Sequence, residues 1–249
     1  MELDNTFAEL AKSKGIQIKE NTTISEHDAD KKELKLSNGE ILTYEKLIFA
    51  DGTSGFGSRL QPARKKNIAM QLVFPNSAAE EIQIHFGITK RGYGWVSSYG
   101  GFTNVGLTDV FDKSVNYHEV FAGFLKQLGL QADMSELRGA FTPMKVGEGK
   151  ACEDIYFVGD AVGACDPMTL SGLRYGLDSG RLCAEAIAKK DDRLYFACIR
   201  KMKKKFALMR TLQKIFYLKV CQVCVFDIGC RCFHWAIAYV FNHFFVNKK

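Results

Sequence analysis

The stretch from Asp154 to Ile187, DIYFVGDAVGACDPMTLSGLRYGLDSGRLCAEAI, constrains the fold more than any other part of the chain. An apolar run, Ile155 to Val158, ends in Gly159-Asp160; a loop with Asp166-Pro167 and Ser171-Gly172 follows; then comes a helical pattern carrying Gly176, Gly180 and Ala184. A buried strand that delivers a carboxylate to a tight turn, followed by a helix start, suits a polyol or phosphate-bearing ligand. The carboxylate accepts hydrogen bonds from hydroxyls. The free N–H groups and positive dipole end of the helix favour negative charge. In isolation Gly-Asp after a strand is also an ordinary turn with a capping residue. The small-residue helix face, which permits close packing on a sheet, makes the combination more specific.

Upstream, residues 4–14 have the pattern of an amphipathic helix stopped by Gly15. Ile16 to Ile18 and Thr22 to Ser25 read as short strands. Lys32 to Tyr44 reads as a hairpin with a two-residue Asn38-Gly39 turn. Leu47 to Ala50 is a short apolar strand running into Asp51-Gly52. Residues 67–110 change character: four strand-like runs separated by turn residues predict an antiparallel sheet. A helix over Tyr117 to Leu128 and a strand over Gly139 to Met144 follow. A second strand–helix pair comes next, and from about residue 191 the chain reads as helical.

The fold class this predicts is α/β (α+β). Residues 1–62 and 144–190 read as a partial Rossmann-like domain. Residues 63–143 read as an inserted antiparallel sheet with a helix, and 191–249 as a helical C-terminal tail. At 249 residues the chain can bury a sizeable core. Its net charge of +6 matters less than the clustering of bases between Arg200 and Lys219. The eight cysteines follow a polar N-terminus without a secretory pattern, so reduced thiols and a cytoplasmic location are expected.

Three further features bear on chemistry. LIFADGTSGFGSRL, residues 47–60, is a strand ending in Asp51-Gly52 with Ser54, Ser58 and Arg59 beyond it; the plain alternative is a Gly-rich turn. Tyr93 and Trp95, spaced by two, share one face of a strand and either line an apolar tunnel or belong to a core. The tail runs from a basic helix into a long aromatic-rich apolar stretch broken by Lys219, Asp227, Arg231 and His234. It suits either a cap on the core or a membrane surface, and lacks the ~20 uninterrupted apolar residues of a span. Cys221-x-x-Cys224, Cys230-x-Cys232 and His234 have zinc-like spacing in bulky apolar surroundings; buried helical cysteines are the better reading, and no metal is expected.

GDAVG, then Asp166-Pro167, then Gly172 and SGRLCAE, resembles the second flavin motif of the p-hydroxybenzoate-hydroxylase-like FAD oxidoreductases, and within them the geranylgeranyl reductase family. Asp51-Gly52 resembles the DG motif of that superfamily, and Tyr93-x-Trp95 the Y-x-W part of the reductases' substrate sheet, with Ser97-Ser98 where Phe-Pro is usual. The resemblance implies FAD as cofactor, with residues 1–62 and 144–190 as the FAD/NAD(P)-binding domain, 63–143 as the substrate-binding sheet, and Asp160, presented by Gly159, on the ribitol. It places the Ser171-Gly172-Leu173 backbone near the flavin ring and Asp51-Gly52 in support of the cofactor. Tyr93 and Trp95 would bind a hydrophobic or lipid substrate. It implies an FAD-dependent oxidoreductase that reduces C=C bonds of a prenyl lipid. The alternatives are a flavin monooxygenase or halogenase, or a non-catalytic remnant without FAD. The superfamily's opening strand, G-x-G-x-x-G and helix are absent from these residues. The chain therefore reads as a truncated form or half of a split product, with a separate N-terminal fragment as a partner. A peripheral position at the inner membrane surface through the tail would suit a lipid substrate, and no nucleic-acid partner is expected.

Overall fold

The computed structural model describes residues 2–62, 65–75, 81–218 and 221. The chain divides into two compact units, Met1–Leu47 and Ile48–Lys249. Among the described residues the architecture is mixed α/β, with three sheets and long helices after residue 172.

The first unit holds helix α1 (Glu2–Ser13) and an antiparallel sheet of β1 (Ile24–Asp28), β2 (Glu33–Leu36) and β3 (Ile41–Thr43), in the order β1-β2-β3. Leu34 and Leu36 alternate with charged residues and are the buried side chains of β2. The hairpin turn takes three residues rather than two. Leu36 N–H donates to Glu40 O at 2.9 Å, and only Gly39 within the turn has positive φ, at +85°. Ile16 to Ile18 do not form the expected strand. Ile16 N–H folds back onto Ala11 O (3.1 Å) and Gly15 N–H onto Lys12 O (2.9 Å), so these residues close the helix instead.

The second unit contains a five-stranded antiparallel sheet in the order β6-β7-β8-β5-β9. Its strands are β5 (Lys66–Pro75), β6 (Glu81–Phe86), β7 (Tyr93–Tyr99), β8 (Phe102–Val110) and β9 (Arg138–Pro143). The register pairs Met70 with Leu107 and Leu72 with Val105, and these residues turn to one face. Helix α3 (Tyr117–Gln127) covers that face with Tyr117, Phe121, Phe124 and Leu125, a stripe at helical spacing. Phe121 and Phe124 are 0% and 1% exposed, and each such ring contributes about 1.5–3 kcal/mol of burial. Asn116 caps the helix, its side chain accepting from Glu119 N–H. The opposite face carries Tyr93, Trp95 and Gly106, with Ile84 and Phe86 of the edge strand beside them.

The third sheet has the order β10-β11-β4, from β4 (Leu47–Phe49), β10 (Lys150–Cys152) and β11 (Ile155–Phe157). All three β11 residues are buried, as expected for a strand covered on both faces. Around this sheet lie the short helices α2 (Phe56–Arg59) and α4 (Gly159–Val162), then α5 (Leu173–Lys189) and α6 (Arg193–Phe216). Tyr195 of α6 is fully buried and donates its hydroxyl to Gly149 O (3.0 Å) and to Phe157 O. Among the described residues no helix is long and apolar enough to cross a membrane. Of the zinc-like tail cluster, Cys224, Cys230, Cys232 and His234 lie outside the described residues, as does the apolar part of the tail.

Candidate cofactor and substrate site

The Gly159-Asp160 turn is a one-turn helix bracketed by two glycines. Gly159 enters it with φ +58° and Gly163 leaves it with φ +87°, conformations that favour glycine. Gly163 N–H donates to Asp160 O (3.0 Å) and Ala164 N–H to Gly159 O (2.9 Å), which closes the turn. Gly159 N–H donates to Ser179 Oγ at 3.0 Å, and that hydroxyl donates to Gly176 O at 2.9 Å. A side chain on Gly176 would come 3.7 Å from Gly159 Cα, so the turn and α5 pack backbone to backbone.

This clip sets Asp160 against the start of α5. A Cβ on Gly172 would lie 3.3 Å from Asp160 Oδ1. Gly172 is the N-cap of α5 and has no side chain with which to cap it. A half-buried carboxylate therefore sits at the positive end of a 17-residue helix. A carboxylate can accept from a polyol there, and the helix dipole favours an electron-rich ring edge. Ser171 and Leu173 are exposed at the same place.

The intervening loop is fixed from within and from outside. Asp166 is 5% exposed and its Oδ1 accepts from Met168 N–H (3.0 Å) and Thr169 N–H (3.4 Å). Lys205 Nζ lies 3.8 Å from Asp166 Oδ2 and bonds the Tyr175 hydroxyl. The buried Gln213 donates Nε2 to Pro167 O (3.0 Å) and Arg91 O (3.3 Å). Tyr93 donates its hydroxyl to Thr169 O at 2.8 Å, which joins the substrate sheet to this loop. Burial, with Cys165 and Asp166 adding, pushes the Tyr93 phenol up to about 12, so it stays a donor.

Trp95 lies two residues on, its ring 6.2 Å from that of Tyr93, with Nε1 donating to Asn104 Oδ1 (3.0 Å). Its indole rests on Gly106 across the strand pair: a Cβ there would meet Trp95 Cζ2 at 2.0 Å.

The Asp51-Gly52 turn uses its carboxylate internally, Asp51 Oδ2 accepting from Gly57 N–H at 2.6 Å. Ser58 Oγ donates to Thr53 O (2.7 Å) and Gly55 O (3.0 Å). Beside this turn is a cavity of about 440 Å³ lined by Thr53, Ser54, Ser58, Arg59, Gln61 and Lys66, among others. The Thr53 hydroxyl is buried without a partner among the described residues. An orphaned hydroxyl with two cations fits a polar or anionic portion of a ligand. Helix α2 packs against α4, so the two Gly/Asp turns adjoin.

The structure thus brings Gly159, Asp160, Ser171, Gly172 and Leu173 to one place, ties Tyr93 to it, and sets the 51–59 turn alongside. Sequence reasoning missed Ser179, Lys205, Gln213 and Thr53. Ser179 stands in the small-residue run of α5, which was a signal. Gln213 and Lys205 sit in a basic helix that gave none.

No family model matches the sequence. An uncharacterised protein of Methanosarcina barkeri is 24% identical over 196 residues, covering 75% of this chain. The chain spans about half (51%) of the length of that curated relative. Among solved structures, a geranylgeranyl bacteriochlorophyll reductase-like protein of Thermoplasma acidophilum is similar at TM-score 0.66 and 21% identity, over 87% of this chain and 63% of that one. The flavin-dependent brominase Bmp2 is similar at TM-score 0.69 and 16% identity, over 96% and 68%. The flavin-dependent halogenase CmlS is similar at 0.62 and 20%, over 84% and 44%. The chain shares its fold with this reductase-like protein and with these flavin-dependent halogenating enzymes.

Proposed function

We propose that this chain is the cofactor- and substrate-facing part of a flavin-dependent oxidoreductase. The observation that carries the reading is the convergence of Asp160 with the start of α5, where a Gly172 side chain would crowd the carboxylate. Asp160 would accept from the ribityl hydroxyls of FAD, and the Ser171-Gly172-Leu173 backbone would face the flavin ring. Asp51 and Gly52 shape the turn beside the cavity where Thr53 and Arg59 meet the cofactor's polar side. Bound flavin supplies the two-electron chemistry. The chain's own residues orient and desolvate: Tyr93 holds the loop to the sheet, and Trp95 offers an apolar wall to a hydrophobic substrate. The partial cofactor domain of residues 1–62 and 144–190, with 63–143 as the substrate insert, is part of this proposal. No G-x-G-x-x-G lies within the sequence, so the pyrophosphate would be held by residues outside it, for instance a separate N-terminal segment.

Two reactions fit this site. The reductase reading places a prenyl alkene against the flavin. The oxygen-using reading, a monooxygenase or halogenase, gains support from the neighbours, since a brominase matches this chain over a larger share than the reductase-like protein does. The test loads the chain with FAD, reduces it anaerobically, and offers either a prenyl alkene or dioxygen with an aromatic substrate. Alkene-dependent reoxidation marks the reductase; substrate-dependent oxygen uptake marks the other. A chain that retains no flavin in any condition, even with the N-terminal segment supplied, is the non-catalytic form and refutes the proposal.

A further inference from the structure

Helix α6 is amphipathic in an unusual way. Its inward face buries Tyr195, Ile199, Met202, Phe206 and Gln213. Its sequence, RLYFACIRKMKKKFALMRTLQKIF, holds eight Lys or Arg and no Asp or Glu. Some of these cations are paired: Arg193 with Asp191, Lys203 with Glu148 at 2.7 Å, and Lys205 near Asp166. Arg200, Lys201, Lys204 and Lys214 form no ion pair among the described residues. Like charges three and four residues apart repel, so this face costs stability with no internal compensation.

The outward face is not simply solvated charge. Leu208, Leu212, Ile215 and Leu218 recur at helical spacing and are 56%, 41%, 48% and 57% exposed. Lys201 and Lys204 continue the same stripe toward the N-terminus. At 1.5 Å per residue the apolar part is about 15 Å long. Beyond its end, Lys90 and Arg91 of the β6–β7 turn join Lys214, Tyr217 and Leu218 around a cavity of about 330 Å³. Lys90 and Arg91 make no ion pair within 4.0 Å among the described residues, although both act on the Asp112 carboxylate and Arg91 on that of Asp109. Phe216 then meets Phe86 of the edge strand, ring to ring at 5.4 Å. From there the open sheet face continues through Ile84 (46% exposed) toward Trp95.

We propose that the solvent face of α6 and the adjoining β6–β7 turn dock on an anionic lipid bilayer, with the open sheet face at the margin of the docked surface. Charge complementarity selects an anionic partner: bases without an ion pair lie along the helix, and Lys90 and Arg91 extend them at the turn, offset in part by Asp112. The exposed leucines select a bilayer over a nucleic acid, since they gain from apolar burial below lipid headgroups and gain nothing on phosphates. The delivery of a lipid to Trp95 rests on the function proposed above; the docking itself does not.

The test is flotation of the full 249-residue chain with vesicles of phosphatidylcholine alone and of phosphatidylcholine with phosphatidylglycerol. Binding is expected to the anionic vesicles only and to fall as salt rises. Lys201→Glu with Lys204→Glu should lower partitioning by at least roughly 25-fold, from about 1 kcal/mol per base converted to a fold-change. Leu208→Ser with Leu212→Ser should also weaken it. These positions are exposed, and circular dichroism of each variant checks that the fold is kept. Equal binding to neutral and anionic vesicles overturns the proposal, as does a wild-type level of binding by either pair of variants. Binding to a DNA duplex that ignores the leucine changes, without vesicle binding, also overturns it. Flavin content is read in every sample. Vesicle binding by a flavin-free chain leaves docking standing and the enzymatic reading in question, whereas a flavin-loaded chain that ignores anionic vesicles sinks the docking alone.

Discussion

Replacing Gly106 by alanine puts a methyl group where the indole of Trp95 lies. The new Cβ would sit 2.0 Å from Trp95 Cζ2, 2.3 Å from Cε2 and 2.5 Å from Cη2, against the ~3.5 Å of an ordinary carbon contact. Backbone on both sides is locked in the sheet, with Gln71 and Trp95 paired across Gly106, so the indole has to move by more than an ångström. Moving it breaks the bond from Nε1 to Asn104, worth about 1 kcal/mol, and adds overpacking strain of about 1–3 kcal/mol. Alanine recovers about 0.5–1 kcal/mol of backbone entropy relative to glycine. The net expectation is a loss of about 1–3 kcal/mol, or about 2–4 °C in Tm for each kcal/mol. The assay is thermal unfolding together with tryptophan emission in a Trp235→Phe background, where Trp95 is the only reporter. Emission should shift as the ring swings toward solvent. In a Trp95→Leu background the same alanine should cost far less, because a leucine can repack. An unchanged Tm and emission for Gly106→Ala would refute the placement of the indole, and with it the apolar wall assigned to Trp95.

Other consequences can be checked alongside. Ser179→Ala removes the acceptor of Gly159 N–H and should cost about 1–3 kcal/mol in urea unfolding, with weaker flavin binding because the Asp160 turn loses its clip. Burial holds the Asp109 carboxyl above its usual range, while Arg91 and Val110 both donate N–H to its Oδ1. A carboxyl raised in the folded state adds stability below the unfolded value of about 3.9 and loses it as pH rises through the folded value. Asp109→Asn keeps an Oδ1 for both donors, so its stability relative to wild type should improve as pH rises above the unfolded value of about 3.9; a constant difference would contradict this. Burial pushes the thiols of Cys165 and Cys183 up to about 12, whereas Cys152 is exposed. Mass spectrometry after brief alkylation at mildly alkaline pH should find Cys152 modified and the other two protected.

Local chemistry was legible in the sequence wherever one residue type dictates the backbone. The alternating β2 pattern and the Tyr93-x-Trp95 spacing placed side chains on the faces they occupy, because strand periodicity leaves no other choice. Gly159-Asp160 announced a turn, although not that it closes as a one-turn helix ending at Gly163. Ile16 to Ile18 have strand propensity, yet the helix end takes Ile16 back onto Ala11 and leaves them without a ladder. The positions that hold the site together were the opaque ones. Gln213 and Lys205 act on the Asp166-Pro167 loop from 46 and 39 residues away in sequence, and such partnerships exist only once α6 has packed. Asp51 shows the reverse: its motif was visible, but that its carboxylate serves Gly57 N–H required coordinates.

The central claim is that Asp160 meets the flavin's polyol chain, and riboflavin tests it without involving the adenosine half of FAD. Quenching of flavin fluorescence by the 249-residue chain should saturate. Asp160→Ala should weaken binding by roughly ten- to a hundredfold, the equivalent of about 1.5–3 kcal/mol for hydrogen bonds to a charged acceptor, with Tm essentially unchanged. The same dissociation constant for both proteins would contradict the account.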